Sequence, residues 1–484
     1  MKKVTFFTIL LTILVSSCST FEVDNNNPDV ALSIDNNPEL LLTQLQRNAI
    51  RRNVRDAWSE GNLMGQYVAR IVFTSFDLFD WGSQTGTWNT YYQMIRDAKE
   101  LEKIALNKEL KGYQAVSEIM QVWMFSILTD VYGDIPYSEV AQAADENYTP
   151  AFDTQESIYK SMLESLKKAS DLIDSANSGI KGDLVYNGDL LGWKKFANSL
   201  RLRLAMRLSE KNSETAKNVI SEIYNNPSSY PIFENNEDNA ELTFLSSNPD
   251  AHPISEESVY RVGSFNEYRI SEHFVQLLED LNDPRLDFFA DPTSNSVLEG
   301  SPVIEGMQNG IVDGPAYEYK GGDAFLSKLN INYFYLQSNQ NKGRLMTYSE
   351  MLFILSEAAQ RGWISTDAND LYKKGIIANF DYWGVPLSES YLNSSKVSYN
   401  GSLEQIITQK YISLFYTDYQ GFFEYKRTLL PATIKPGPDA FYSEYPSRFE
   451  YPSEEQTLNV QNYSEVVSRL SKGDEITSKL WWHK

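Results

Sequence analysis

Three histidines, His252, His273 and His483, and one cysteine, Cys18, are the only imidazole and thiol groups in this chain of 484 residues. Each histidine stands isolated along the sequence, so nucleophile schemes that need a Ser–His or Cys–His pair depend on a tertiary encounter. The patterns HExxH and GxSxG do not occur, and the chain holds neither Gly-x-Gly nor Gly-Lys. Zinc-peptidase, nucleophile-elbow and phosphate-cradling sites of the usual kinds are therefore excluded. Carboxylates are abundant, with 65 Asp and Glu, and pairs such as Asp77/Asp80 and Asp130/Asp134 follow from that abundance. Glycoside hydrolysis needs two carboxyl groups ~5 Å or ~6.5–9.5 Å apart, and linear spacing does not fix such a separation. These pairs are read as caps, ion pairs or solvated charge. No residue is assigned to catalysis and no cofactor is implied; a metal ion is left open.

Binding chemistry is better represented. Aromatic residues make up 13% of the chain, including 30 tyrosines, enough for both a core and a binding surface. Sugars present apolar C–H faces that aromatic rings cover, and hydroxyls that Asn, Asp, Gln and Arg meet; aromatic side chains give large contact area at low entropy cost. The first loop cluster is FTSFDLFDWGSQTGTW, with Phe76, Phe79, Trp81 and Trp88. Trp81 sits between Asp80 and Gly82 ahead of a helix, whereas Trp88 is expected to enter that helix and pack. The second cluster is GPAYEYKGGDAF, with Tyr317, Tyr319 and Phe325, followed by Tyr333 and Tyr335; Gly314, Gly321 and Gly322 mark bent, exposed chain. The expected ligand contacts are Trp81, Tyr317 and Tyr319, with Asp80, Gln84 and Asn309 as polar partners.

Cys18 has a position that explains it. Lys2 and Lys3 precede an apolar stretch from Val4 to Val15, then Ser16, Ser17 and Cys18. Twelve apolar residues are too few to cross a bilayer core of ~30 Å but suit a secretory signal. Val15-Ser16-Ser17-Cys18 resembles a bacterial lipobox, which implies removal of residues 1–17 and lipidation of Cys18. Residues 18–37 then read as a polar, Asn-rich tether, acidic at Glu22 and Asp24, and 38–484 as a single folded domain. Losing Lys2 and Lys3 takes the net charge from −22 to −24. So acidic a body is repelled by phosphate backbones and by anionic headgroups. Nucleic acid is not an expected partner, and the membrane is reached through the lipid anchor only.

Helical periodicity dominates the rest. Apolar steps of three and four predict helices over 110–131, 154–177, 189–210, 347–362 and 402–418; 39–58, 84–106, 268–281 and 366–380 are further candidates. Gly133 and Pro136 stop the first of these. The segments 84–106 and 109–131, and 347–362 and 366–380, form pairs joined by short turns, as in tetratricopeptide-type hairpins. Long irregular stretches at 225–267, 283–346, 385–400 and 428–458 lie between, with short strands expected at 240–245 and 331–336. Arg201, Arg203 and Arg207 fall off the apolar stripe of their helix and are read as ion-paired. Gln409-Lys410 is read as a buried polar anchor.

Seven stretches in order carry a resemblance: TDVYGDIPYSE (129–139), WKKFANSLRLRLAMRLSE (193–210), NDPRLDFF (282–289), TYSEMLFILSEAAQRGW (347–363), IITQKYISLF (406–415), SRFEYPSEEQTLN (447–459) and the terminal KLWW before His483. Together they resemble the SusD/RagB-type nutrient-binding outer-membrane lipoproteins over nearly the whole mature chain. One departure is GFFEYKR (421–427), where that family often carries a Trp-rich, Arg-Arg segment. The resemblance implies a mainly α fold of tetratricopeptide-like hairpins, with loop-rich insertions carrying a few short strands and the ligand site. It also implies a partner, a SusC-like TonB-dependent outer-membrane transporter, to which a protein facing the cell exterior delivers oligosaccharide, or in some cases peptide. A lipid-anchored glycoside hydrolase and a repeat scaffold without a small ligand are the readings from other classes.

Overall fold

Leu101, Ile104 and Ala105 on one helix and Val116, Ile119 and Met120 on the next are all buried, because two amphipathic stripes joined by a short turn can close on each other. The computed structural model describes residues 37–141 and 147–484. The principal helices are α1 (Pro38–Asp56), α2 (Thr85–Asn107), α3 (Lys111–Tyr132), α4 (Gln155–Asp174), α5 (Leu190–Arg207), α6 (Ser213–Asn225), α7 (Glu272–Leu281), α8 (Tyr348–Gln360), α9 (Ala368–Trp383), α10 (Leu403–Ser413) and α11 (Gln420–Thr428). From α2 to α6 each packs on its predecessor, α1 lies on α2, and α8 packs against α9 and α10. The expected hairpins are present. None of the helices among the described residues is long and apolar enough to cross a membrane.

Local chemistry sets the ends. Thr154, Asp189, Ser271, Thr347 and Ser402 each accept a backbone N–H at a helix start, a cap worth about 1 kcal/mol. Gly133, at φ +96°, ends α3 in a conformation that L side chains rarely adopt.

Two short antiparallel pairs link distant loops. β1 (Val68–Arg70) pairs with β3 (Tyr268–Ile270), and β2 (Ala240–Thr243) pairs with β4 (Lys342–Met346). The strand expected at 240–245 is therefore found. The helix expected over 268–281 starts only at Glu272, because Tyr268–Ile270 is taken by the β1 edge and Ser271 caps the helix. The strand expected at 331–336 is instead a single wide helical turn, Asn332–Leu336. Just ahead of it the Asn330 side chain accepts from the Tyr333 amide at 3.2 Å, and Phe334 packs on Phe415 and Trp383. Its consecutive aromatics, Tyr333, Phe334 and Tyr335, serve ring packing rather than a sheet face. Helices α6 and α11 are not among those the periodicity predicts.

The core is a large cluster running through the helices, with a second small one, Ala69, Ile71, Met307, Ile311, Ala316 and Leu326, beneath the inserted loops. α5 is enclosed by α4, α6 and α8, so its arginines are buried although they lie off the stripe. Arg201 pairs with Glu222 at 2.9 Å, Arg203 with Glu350 at 2.5 Å and Arg207 with Asp130 at 3.3 Å. Burial pushes the Asp130 carboxyl up to about 6, against the pull of Arg207. Gln409 and Lys410 are buried as expected: Gln409 accepts from Arg285 at 2.9 Å and Lys410 donates to Glu424 at 2.9 Å.

His252 is fully buried among Phe244 and Tyr416. Burial, reinforced by Arg344, depresses its pKa to about 3. A depressed pKa means that the unfolded chain takes up the proton first, so stability is complete above about 6.5 and declines as pH falls toward 3. Between pH 7 and 5 this one group removes roughly 2 kcal/mol. The stability gap between the wild type and His252→Gln, from denaturant unfolding, should shrink by about that amount over this interval. A gap independent of pH would refute the assignment.

Candidate functional site

The inserted loops meet where two glycines let two backbones touch. A Cβ on Gly437 would stand 2.1 Å from the Asn309 carbonyl oxygen, and one on Gly310 would stand 2.8 Å from the Gly437 Cα. Asn309 is held from below. Its Nδ2 donates to the Val68 carbonyl at 2.8 Å and to Asp77 Oδ1 at 2.9 Å, while Asp77 Oδ2 accepts from the Arg70 amide at 2.7 Å. Burial lifts the Asp77 carboxyl to about 6, opposed by the Asn309 and Arg70 hydrogen bonds. Further ties are the Thr74 amide to Asp313 at 3.1 Å, the Phe441 amide to the Leu78 carbonyl at 3.0 Å and the Asp439 amide to the Gly310 carbonyl at 2.9 Å. Loops from three distant parts of the chain are thereby fixed as one surface.

Beside this junction lies a cleft of about 360 Å³ lined by Gln66, Glu272, His273, Gln276, Leu277, Asp280, Gln308, Asn309, Thr433, Lys435, Pro436 and Gly437. One wall is the polar face of α7, where Glu272, Gln276 and Asp280 recur at every fourth residue. Opposite, Gln66 clasps the 433–437 segment, donating to the Lys435 carbonyl at 2.7 Å. His273 Nε2 is buried without a hydrogen-bond partner, and desolvation lowers its pKa to about 4; at neutral pH the ring is uncharged. Glu272 joins the cleft to the second aromatic cluster: it accepts from the Tyr319 hydroxyl at 3.2 Å and pairs with Lys320 at 2.9 Å, which also holds Glu305 at 2.9 Å. Burial, then the neighbouring Glu272 charge, raises the Tyr319 pKa. The phenol therefore stays protonated as a donor.

The sequence-expected residues divide. Asn309 lines the cleft, Tyr319 borders it through Glu272, and Tyr317, two residues earlier, is 52% exposed. Trp81 offers no platform: it is 2% exposed, stacked on Phe76 with centroids 5.5 Å apart and closed in by Phe79, Phe422 and Phe449. Its indole N–H is spent on the Phe76 carbonyl at 3.0 Å. Gln84 is spent too, donating to the Trp81 carbonyl at 2.5 Å in a left-handed turn at φ +42°. Asp80 is exposed beside them, away from the cleft lining. Trp88 packs inside, as expected. The exposed rings on the joined loops are instead Phe73 and Phe441, each 62% exposed. The α7 wall was missed, though its i, i+4, i+8 polar face was open to reading. Cys18 lies outside the described residues.

The cleft lining offers amide, carboxylate, hydroxyl and ammonium groups for hydrogen bonding. Its two wall carboxylates, Glu272 and Asp280, are eight residues apart on one helix, which puts their Cα atoms ~12 Å apart along the axis. No group of three metal-ligating side chains occurs among the described residues.

The sequence profile of a SusD-like family, described as starch-binding and associating with the outer membrane, matches residues 29–452. Among solved structures, a SusD homologue from Bacteroides fragilis is 29% identical with a TM-score of 0.80, covering 92% of this chain and 99% of its own. A chitin-binding protein is 28% identical with a TM-score of 0.80, covering 93% and 100%. A SusD homologue from Bacteroides uniformis, at 23% identity, TM-score 0.78 and coverage of 92% and 99%, shares the fold. No curated protein matches the chain.

Proposed function

Since the chain belongs to the SusD-like family of starch-binding proteins associated with the outer membrane, we propose that it captures nutrient oligosaccharides in the loop cleft and hands them to a SusC-like TonB-dependent transporter. The observation that carries the reading is the cleft itself: acceptors, amides and a lysine converge on loops inserted into a rigid helical frame, with Tyr319 tied to one wall through Glu272. Glycan hydroxyls suit this mixed donor and acceptor lining, and the rim tyrosines suit the sugar faces. The chitin-binding relative supports a glycan cargo. The role is binding without turnover. Cys18 is the lipid anchor, holding the acidic body at the outer membrane with its face to the exterior; residues 1–17 are the removed signal and 18–37 the tether.

The test uses soluble protein starting at Ser19. Calorimetry against neutral oligosaccharides and a peptide library, with products checked by mass spectrometry, should yield glycan binding and intact ligand. Peptide binding alone would overturn the sugar assignment, and cleavage of a bound glycan would make the protein an enzyme. In cells, Cys18→Ala should release the full chain from the membrane fraction; retention there would refute the anchor.

A further inference from the structure

A chain of net charge −22 carries a groove lined by four arginines. Between α1 and α2 lies a cavity of about 420 Å³ lined by Arg51, Arg52, Arg55 and Arg96, with Asp97 the one carboxylate on its wall. On α1 the lining positions 44, 48, 51, 52 and 55 follow helical spacing and share one face. Arg47–Arg51 and Arg51–Arg55 are like-charge pairs at i, i+4, an arrangement that destabilises a helix. Burial first, then Arg47 and Arg55, lowers the Arg51 pKa, so the cations work against each other.

Two of the four are held in place by the fold. Arg51 donates to the Ala251 carbonyl at 2.8 Å. Arg52 donates to Thr87 Oγ1 at 2.7 Å and pairs with the buried Asp56 at 2.6 Å. The other two point outward. Arg96 holds only its neighbour Asp97, at 2.9 Å, and among the described residues Arg55 has no side-chain hydrogen bond or ion pair. Guanidinium groups that line one cavity and keep spare donors match a carboxylate or a sulfate, which they bind in bidentate fashion. The remaining lining separates saccharide from protein: it is amide and hydroxyl groups of Gln44, Asn48, Gln93 and Thr90, with Met94 the one apolar side chain. An acidic peptide would find little to bury its apolar side chains against, whereas sugar hydroxyls would find partners.

We propose that the groove between α1 and α2 is a second saccharide site, specific for anionic sugars, whether the charge is a uronate carboxylate or a sulfate ester. It is built from elements separate from the loop cleft and stands independently of the function assigned there.

Calorimetry on the chain from Ser19 should use oligogalacturonate, a sulfated dextran oligosaccharide, a neutral malto-oligosaccharide and polyglutamate. The variants are Arg55→Gln with Arg96→Gln, both at exposed side chains, and Tyr317→Ala with Tyr319→Ala. Wild type should bind at least one anionic sugar, more weakly at high salt because the charges are screened. The arginine variant should bind it at least tenfold more weakly, and the tyrosine variant should bind it unchanged. Binding of oligogalacturonate alone identifies the carboxylate source, and of the sulfated sugar alone the ester. The proposal falls if neither anionic sugar binds, if the arginine variant binds as tightly as wild type, or if polyglutamate is the only anion bound. Loss of neutral-sugar binding in wild type would sink the loop-cleft assignment without touching this one.

Discussion

Arg427→Met is expected to lower the unfolding free energy by about 3–5 kcal/mol. Arg427 is fully buried in α11 and spans two carboxylates. Its Nη1 and Nη2 donate to Glu357 Oε1 and Oε2 at 2.7 and 2.6 Å, and Nη2 also meets Glu424. A further bond runs to the Ser209 hydroxyl at 2.6 Å. Burial alone would raise the Glu424 carboxyl, but Arg427 and then Lys410 overcome it and hold the group well below the usual carboxylate range. Removing the guanidinium leaves Glu357 with Arg361 at 2.8 Å and Glu424 with Lys410 at 2.9 Å, one cation each in place of a shared second. The cost is that of stranded buried charge, not of one hydrogen bond. Denaturant unfolding measures it. Adding Glu357→Gln to Arg427→Met should recover part of the loss, because the two side chains belong to one network. A single-variant loss under about 1 kcal/mol, the scale of an exposed pair, would show that the cluster does not act as a buried network.

Tyr317→Ala with Tyr319→Ala should weaken oligosaccharide binding by about 30-fold or more, a loss of about 2 kcal/mol typical of paired aromatic anchors. Folding should be nearly unaffected, since Tyr317 is exposed and Tyr319 only borders the small second cluster. Trp81→Ala should behave in the opposite way. Emptying a site closed by four rings costs about 3–5 kcal/mol of stability, and Trp81→Phe, which keeps the packing, should leave affinity unchanged. Calorimetry paired with thermal unfolding separates the two effects. Unchanged affinity in the tyrosine double variant would move the ligand away from this cleft.

The hairpin helices were legible because their burial is one-sided and repeats every three or four residues. α3 begins and ends within a residue or two of the expected 110–131, and Gly133 stops it. Arg201, Arg203 and Arg207 were legible as ion-paired, though not as buried, because periodicity registers the apolar stripe and says nothing of a third neighbour packed on the polar face. The turn at 332–336 misled for a related reason: a short run of large apolar residues suits a strand, but the same run closes a helical turn when its rings pack on the distant Phe415 and Trp383.

For the binding site, composition pointed to aromatic loops; Asn309 lines the cleft, Tyr319 touches it through Glu272 and Tyr317 is exposed on the same loop, while Trp81 and Gln84 are spent on the interior. A tryptophan between Asp80 and Gly82 reads alike whether its ring faces solvent or Phe422, a residue more than 300 positions away. Chain order by itself determined most of the principal helices, the hairpin pairing, the charge and the family. Which polar groups converge, and which aromatic rings stay free, was decided by contacts such as Gly437 against Asn309, and contacts between residues so distant in sequence leave no local period to read.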